Sequence, residues 1–111
     1  MDKDYKIGII GLGYVGLPLA IAFSEFYSVC GFDINSTRIS ELHNSIDSNG
    51  EVIFSINDQL DFTSDEKKLA SSNIFIVTVP TPVTPNNIPD LSIIEIATRM
   101  IAKYISKGDI V

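Results

Sequence analysis

Lys6-Ile7-Gly8-Ile9-Ile10-Gly11-Leu12-Gly13-Tyr14-Val15-Gly16 decides how this chain is read. Residues 6–10 form a short apolar run rich in β-branched side chains, the pattern of a strand buried on both faces of a parallel sheet. Gly11, Gly13 and Gly16 follow at once in the spacing G-x-G-x-x-G, and an apolar helical pattern opens directly after them. Each glycine has a mechanical reason. Gly11 permits a tight turn out of the strand, Gly13 lets a pyrophosphate approach the backbone, and Gly16 lets the helix pack closely on the strand. The helix N-terminus then offers free N–H groups and a partial positive charge.

The glycine spacing alone is weak. Here a strand precedes it, a helix follows, and Asp33 ends a second apolar run seventeen positions beyond Gly16. That is where a carboxylate meets an adenosine ribose in a dinucleotide fold. The plain alternative, a glycine-rich turn that binds nothing, has to explain all four features as coincidence.

Composition sets the outer bounds. One hundred and eleven residues make one domain at most. Hydrophobic residues are 45% and charged residues 20%, enough apolar material for a core. A net charge of −6 argues against a general nucleic-acid or anionic-membrane surface. It does not argue against a dinucleotide, whose phosphates are held by local N–H groups. No apolar run approaches the roughly 18 residues of a membrane helix. The opening Met1-Asp2-Lys3-Asp4 lacks a signal-peptide pattern, and one cysteine allows no intrachain disulfide. Both points fit a cytoplasmic protein.

Periodicity then predicts a first helix over about residues 14–26, with Val15, Leu19, Ala22, Phe23 and Phe26 facing the sheet. Pro18 is tolerated because it falls in the first turn. A second strand covers residues 28–32, with Cys30 inside it as an inert thiol. Asn35 or Ser36 caps a second helix through about Asn44, with Ile39, Leu42 and Ile46 inward. Arg38, in its first turn, reads equally as a solvated surface charge or as a contact to the adenosine, and His43 reads as an exposed helix residue. Residues 47–59 suggest an irregular or short helical connection. A brief strand at 61–63, a short helix from Ser64 or Asp65 to about Ser71, and a buried strand at 74–79 follow.

Pro80, Pro82, Pro85 and Pro89 exclude helix and central strand from the next ten residues. A loop of this kind at the carboxyl end of a sheet strand is where open α/β sheets bind ligands. The last helix is capped by Asp90 or Ser92, with Ser92-Ile93-Ile94-Glu95 as a capping box. Its apolar stripe is Ile93, Ile96, Ala97, Met100, Ile101 and Tyr104, and Gly108 marks its C-terminal end. Asp109-Ile110-Val111 opens another strand.

Taken together, Gly11-Leu12-Gly13-Tyr14-Val15-Gly16-Leu17-Pro18-Leu19-Ala20, Gly31-Phe32-Asp33 with Arg38, Val79-Pro80-Thr81-Pro82 and Pro89-Asp90-Leu91 resemble the UDP-glucose/GDP-mannose dehydrogenase family. Within it the look is closest to the UDP-N-acetylhexosamine 6-dehydrogenases of bacterial capsule and Vi-type polysaccharide synthesis. The resemblance covers the whole chain. It implies a Rossmann-type, doubly wound parallel α/β sheet, here cut at its fifth strand, as a single NAD-binding domain over residues 1–111 of a longer enzyme. Members oxidise the C6 alcohol of a nucleotide sugar to a carboxylate with two NAD+, through an aldehyde and a cysteine thioester. The resemblance implies NAD contacts at Gly11, Leu12, Gly13, Tyr14, Val15, Gly16, Asp33, Arg38, Val79, Pro80, Thr81 and Pro82. It also implies a UDP-sugar substrate and a homo-oligomeric parent. The family's catalytic cysteine and lysine lie in later regions, and Cys30 does not match the nucleophile's motif. No catalytic residue and no metal ligand is therefore expected here. Another two-domain dehydrogenase, such as a hydroxyacid type, is a competing reading that the proline loop counts against. An NAD-sensing regulatory module is a second, and a methyltransferase would have no need of the third glycine.

Overall fold

Four short apolar runs become strands: β1 (Lys6–Ile10), β2 (Ser28–Phe32), β3 (Leu60–Thr63) and β4 (Ile74–Val77). Three α-helices, α1 (Gly16–Ser24), α2 (Ser36–His43) and α3 (Ser92–Tyr104), and a 3₁₀ helix at Glu66–Ser71 connect and cover them. The computed structural model describes residues 4–44 and 59–111. Every strand pair is parallel, in the order β3-β2-β1-β4. Ile110 bridges Ile74 in parallel, and the Phe75 N–H donates to the Ile110 carbonyl at 2.8 Å, so a fifth strand begins beside β4. This is the doubly wound order, and its direction reverses between β1 and β4.

Parallel strands covered by helices on both faces must be apolar on both faces. β1 shows this directly, since Ile7 and Ile9 join the core under α1 and α2 while Ile10 joins the core under α3. The first core adds Leu17, Ala20, Ile39, Leu42 and Phe62, and the second Phe32, Leu69, Phe75, Ala97, Met100 and Ile101. Each large side chain buried this completely stabilises the fold by about 1.5–3 kcal/mol.

The first helix is shorter than its periodicity suggests, and it presents a different face. Gly16, Leu17, Ala20 and Ser24 are buried, whereas Val15, Ala22 and Phe26 are exposed and Leu19 and Phe23 only half-buried. The segment is apolar nearly all round, so hydrophobic spacing does not determine its rotation. Gly16 does, because it must lie against the Gly11 carbonyl.

The second helix follows the expectation more closely. Asn35 Oδ1 accepts from the Thr37 and Arg38 N–H groups at 3.0 and 3.2 Å, and Ile39 and Leu42 are buried. Ile46 and the connection over residues 47–58 lie outside the described residues. His43 is exposed, as expected, but its Nε2 also pairs with the Phe62 carbonyl at 2.8 Å.

The capping box at α3 does not form. Asp90 Oδ1 takes the Ser92 N–H at 3.0 Å, and Leu91 occupies the cap position with no side-chain cap bond, so Ser92 is already inside the helix. The same hydrogen bond holds the Asp90 carboxyl below the usual carboxylate range. The helix ends at Tyr104, four residues before Gly108. Gly108 has the left-handed φ of +94°, but it serves the Ser106–Asp109 turn into the fifth strand. Among the described residues no helix is long and apolar enough to cross a membrane.

Candidate dinucleotide site

The site is built where β1 runs out. Gly11 turns with φ +102°, and a Cβ there would stand 2.8 Å from the Thr78 carbonyl oxygen. The turn is then fastened through four backbone groups. The Gly11 N–H donates to the Phe32 carbonyl at 2.8 Å, and the Gly11 carbonyl accepts from Thr78 Oγ1 at 2.7 Å. The Leu12 N–H donates to Asp33 Oδ2 at 3.0 Å, and the Leu12 carbonyl accepts from Arg38 Nε and Nη2 at 2.9 and 2.8 Å. β2 and α2 hold Gly11 and Leu12 on one side and the end of β4 holds Gly11 on the other, which satisfies the rule that buried backbone polar groups are paired.

Past Leu12 the backbone opens towards solvent. A Cβ added to Gly13 would meet nothing within 4 Å. At Gly16 it would land inside the Gly11 carbonyl and 2.5 Å from Thr78 Oγ1. No side chain caps the N-terminus of α1; the Leu17 N–H pairs with the Gly13 carbonyl at 3.2 Å and Pro18 has none, so the N–H groups left without a backbone or side-chain partner at this end are those of Gly13, Tyr14, Val15 and Gly16. They face a groove of about 580 Å³ at the carboxyl ends of β1, β2 and β4. The groove is floored by Ile10, walled on one side by Asp33 and Ile34 and on the other by Val79, Pro80, Ile93 and Ile96.

Of the residues singled out in the sequence, the structure gathers Gly11, Leu12, Gly13, Tyr14, Val15, Asp33, Val79 and Pro80 around this groove. Tyr14 and Val15 form an exposed rim, 69% and 59% accessible. Gly16 lies beneath the turn. Thr81 and Pro82 sit beyond the groove wall, where the Pro82 carbonyl accepts the Asp90 N–H at 2.7 Å. Arg38 is not a solvated surface charge: it is 7% exposed and its guanidinium lies behind the turn, against Leu12. Helical position alone shows a charge near Asp33. It does not show that two nitrogens of that side chain will be spent on a carbonyl twenty-six residues away.

Thr78, Ile34 and the α3 wall join the groove without any motif in the sequence to mark them. Thr78 was legible only as a polar residue near the end of an otherwise apolar run. Ile96 belongs to the apolar stripe of α3, yet it is 55% exposed because the stripe runs past the sheet and into the groove.

A second groove of similar size, about 590 Å³, opens at the opposite end of the strands between Lys6, Ser28, Gln59, Lys67 and Lys68. It contains neither the glycine turn nor the N-terminus of an α-helix. Cys30 lies in its wall, where burial, and then the Asp61 charge, push the thiol up to about 11, eased by Lys68. Such a thiol is not a nucleophile at neutral pH. Among the described residues no cluster of ligating side chains could hold a metal ion.

The donor set fits a dinucleotide: an uncapped helix N-terminus, a backbone cradle that a Cβ at Gly13 would fill, and a carboxylate at the end of the second strand. Over residues 5–111 the chain matches the NAD binding domain of the UDP-glucose/GDP-mannose dehydrogenase family. It is 47% identical to the UDP-N-acetyl-D-glucosamine 6-dehydrogenase of Pseudomonas aeruginosa, over 98% of this chain and 26% of that protein. It is 43% identical to the enzyme of the same name from Salmonella typhi, over 97% of this chain and 26% of that protein. The solved UDP-D-ManNAc dehydrogenase of Pyrococcus horikoshii superimposes with a TM-score of 0.78 at 33% identity, covering 95% of this chain and 27% of that one. The chain thus spans about a quarter of the length of these relatives. The turn, the strand order and the match over nearly its whole length agree: this chain belongs to the UDP-glucose/GDP-mannose dehydrogenase family and corresponds to its NAD binding domain.

Proposed function

We propose that the groove above Gly11–Gly16 takes NAD+, and that the chain is the cofactor-binding part of a nucleotide-sugar 6-dehydrogenase. Such an enzyme would oxidise the C6 alcohol of a UDP-N-acetylhexosamine or UDP-glucose to the carboxylate in polysaccharide synthesis. The observation that carries this reading is the open backbone at Gly13, beside the uncapped start of α1 and within one groove with Asp33. The substrate class rests on the relatives, whose names give UDP-N-acetyl-D-glucosamine as the sugar oxidised.

Each residue then has a part. The free N–H groups of Gly13 to Gly16 at the start of α1 bind the pyrophosphate, and Gly13 lets it come close. Asp33 already accepts one backbone N–H on each oxygen, from Leu12 and from Asn35 at 2.9 Å. A carboxylate oxygen has further acceptor capacity, so Asp33 can also take a ribose 2′-OH while repelling a 2′-phosphate. Ile34 and the α3 wall supply apolar surface for a flat ring, and Val79 and Pro80 bound the other part of the groove. Thr81 and Pro82 would reach the cofactor only from the far side of that wall. Arg38 faces the Leu12 carbonyl, so it supports the turn rather than a 2′-phosphate. When bound, the nicotinamide accepts the hydride, and this chain's residues bind and orient it.

Calorimetric titration with both cofactors tests the reading. NAD+ should bind at least about tenfold tighter than NADP+, the factor that about 1.4 kcal/mol of lost ribose bonding and added repulsion produces. Equal or tighter binding of NADP+ would remove Asp33 from the site.

A further inference from the structure

We infer that Thr78 is a positioning residue for the dinucleotide, its hydroxyl holding the Gly11 carbonyl so that the following turn presents its amides to a pyrophosphate. This rests on the groove being the NAD site. Thr78 Oγ1 lies 2.7 Å from the Gly11 carbonyl oxygen and 3.2 Å from that of Ile10. A hydroxyl has one proton to donate, and the shorter contact takes it. Gly16 presses on the same Gly11 carbonyl from beside the hydroxyl, since its added Cβ would overlap the carbonyl and stand 2.5 Å from Thr78 Oγ1. The carbonyl oxygen therefore sits in a corner formed by the Thr78 hydroxyl and the first residue of α1. Its orientation sets the path of Leu12 and Gly13 and the height of the helix N-terminus above the groove.

Thr78 is itself fixed. Its N–H donates to the Ile10 carbonyl at 2.9 Å, so β4 holds it in place without help from its side chain. Removing the hydroxyl should leave strand pairing intact and free only the turn. It acts on the pyrophosphate half of the ligand, since Asp33 and Ile34 stand across the groove from it.

The test uses this chain with Thr78→Val, which keeps the shape and removes the hydroxyl, and Thr78→Ser, which keeps the hydroxyl. The probes are NAD+, ADP and adenosine, titrated by calorimetry or by amide shifts at temperatures where each variant is folded. An unpaired Gly11 carbonyl and a loosened turn should weaken NAD+ and ADP binding by about tenfold in Thr78→Val. Adenosine, which lacks the pyrophosphate, should change by less than about twofold, and Thr78→Ser should restore NAD+ to within about threefold of the parent. A purely structural threonine would lower the melting temperature and leave the folded variant's affinities alone, and that result overturns the inference. So does a loss that is equal for ADP and adenosine. If Thr78→Val does not fold, Thr78→Ala, where a water can reach the carbonyl, is read by the same criteria. Failure of the parent chain to bind NAD+ would overturn this inference together with the proposed function, whereas full binding by a hydroxyl-free variant overturns this inference alone.

Discussion

Gly13 and Gly16 are three residues apart in one motif, yet the structure assigns them opposite consequences on substitution. At Gly16 a methyl group would overlap the Gly11 carbonyl and stand 2.5 Å from Thr78 Oγ1. Neither neighbour is the loose end of a flexible side chain. The carbonyl is held by Thr78, and Thr78 by Ile10, so α1 must lift from the turn. Overpacking of this kind costs about 1–3 kcal/mol. Losing the Gly11–Thr78 bond adds about 1 kcal/mol. The better helix propensity of alanine returns at most about 1 kcal/mol. Gly16→Ala should therefore destabilise by about 1–3 kcal/mol, a fall in Tm of roughly 5–20 °C for a domain of this size. At Gly13 a side chain meets nothing within 4 Å. Gly13→Val should keep stability within about 0.5–1 kcal/mol of the parent, since it is a surface change with no neighbour to strain. It should also abolish NAD+ binding, because it fills the space the pyrophosphate needs. Thermal melts and calorimetric titrations of the two variants check both halves. If the larger side chain at Gly13 unfolded the protein while Gly16→Ala melted like the parent, the assignment of roles would be refuted.

Other outcomes follow from single contacts. Arg38→Lys replaces a fork that reaches the Leu12 carbonyl through two nitrogens, and should cost about 1–3 kcal/mol in urea denaturation by weakening the pairing of a buried carbonyl. An unchanged midpoint would mean that the fork does not hold the turn. Cys30, with its thiol pushed up to about 11, should react with iodoacetamide slowly at pH 7, and the rate should still be rising at pH 10. Because its folded pKa lies above the ordinary 9.0, the unfolded thiol ionises first, and Cys30 should contribute stability below pH 9 that is lost as pH rises towards 11. Cys30→Ser should remove that slope. Finally, the chain mixed with NAD+ and UDP-linked hexoses or N-acetylhexosamines should show no growth of the NADH band. Its cysteine is tucked into the opposite groove, and His43 lies on α2, bonded to Phe62. A growth that vanished in Cys30→Ser would place an active site where the structure shows a desolvated thiol.

The parts of this fold that were legible in the sequence are those where one local rule had no competitor. Four apolar runs, three glycines and a proline-rich loop specify parallel strands, a phosphate-type turn and an open connection, and each is in the structure. What sequence spacing could not show is rotation and reach. The nearly uniform apolar surface of α1 left its buried face undefined until Gly16 met the Gly11 carbonyl. Arg38 and Thr78 act on backbone atoms twenty-six and sixty-seven residues away, contacts that arise only when β1, β2 and β4 are laid side by side. The sequence offers Asp90 or Ser92 as the cap of α3, but Leu91 takes the cap position without a side-chain bond, while Asp90 holds the Ser92 N–H from just before it.

The central claim is that NAD+ occupies the carboxyl end of the sheet, above the glycine turn. Two grooves of nearly equal volume compete for that role, about 580 Å³ at the turn and about 590 Å³ at the other end of the strands. An amide-resolved NMR titration of the chain with NAD+ separates them. The account predicts the largest shifts at Gly13, Tyr14, Val15 and Gly16, with a second group at Asp33 and Ile34. Shifts concentrated instead at Lys6, Ser28, Lys67 and Lys68, with the glycine turn silent, would contradict it.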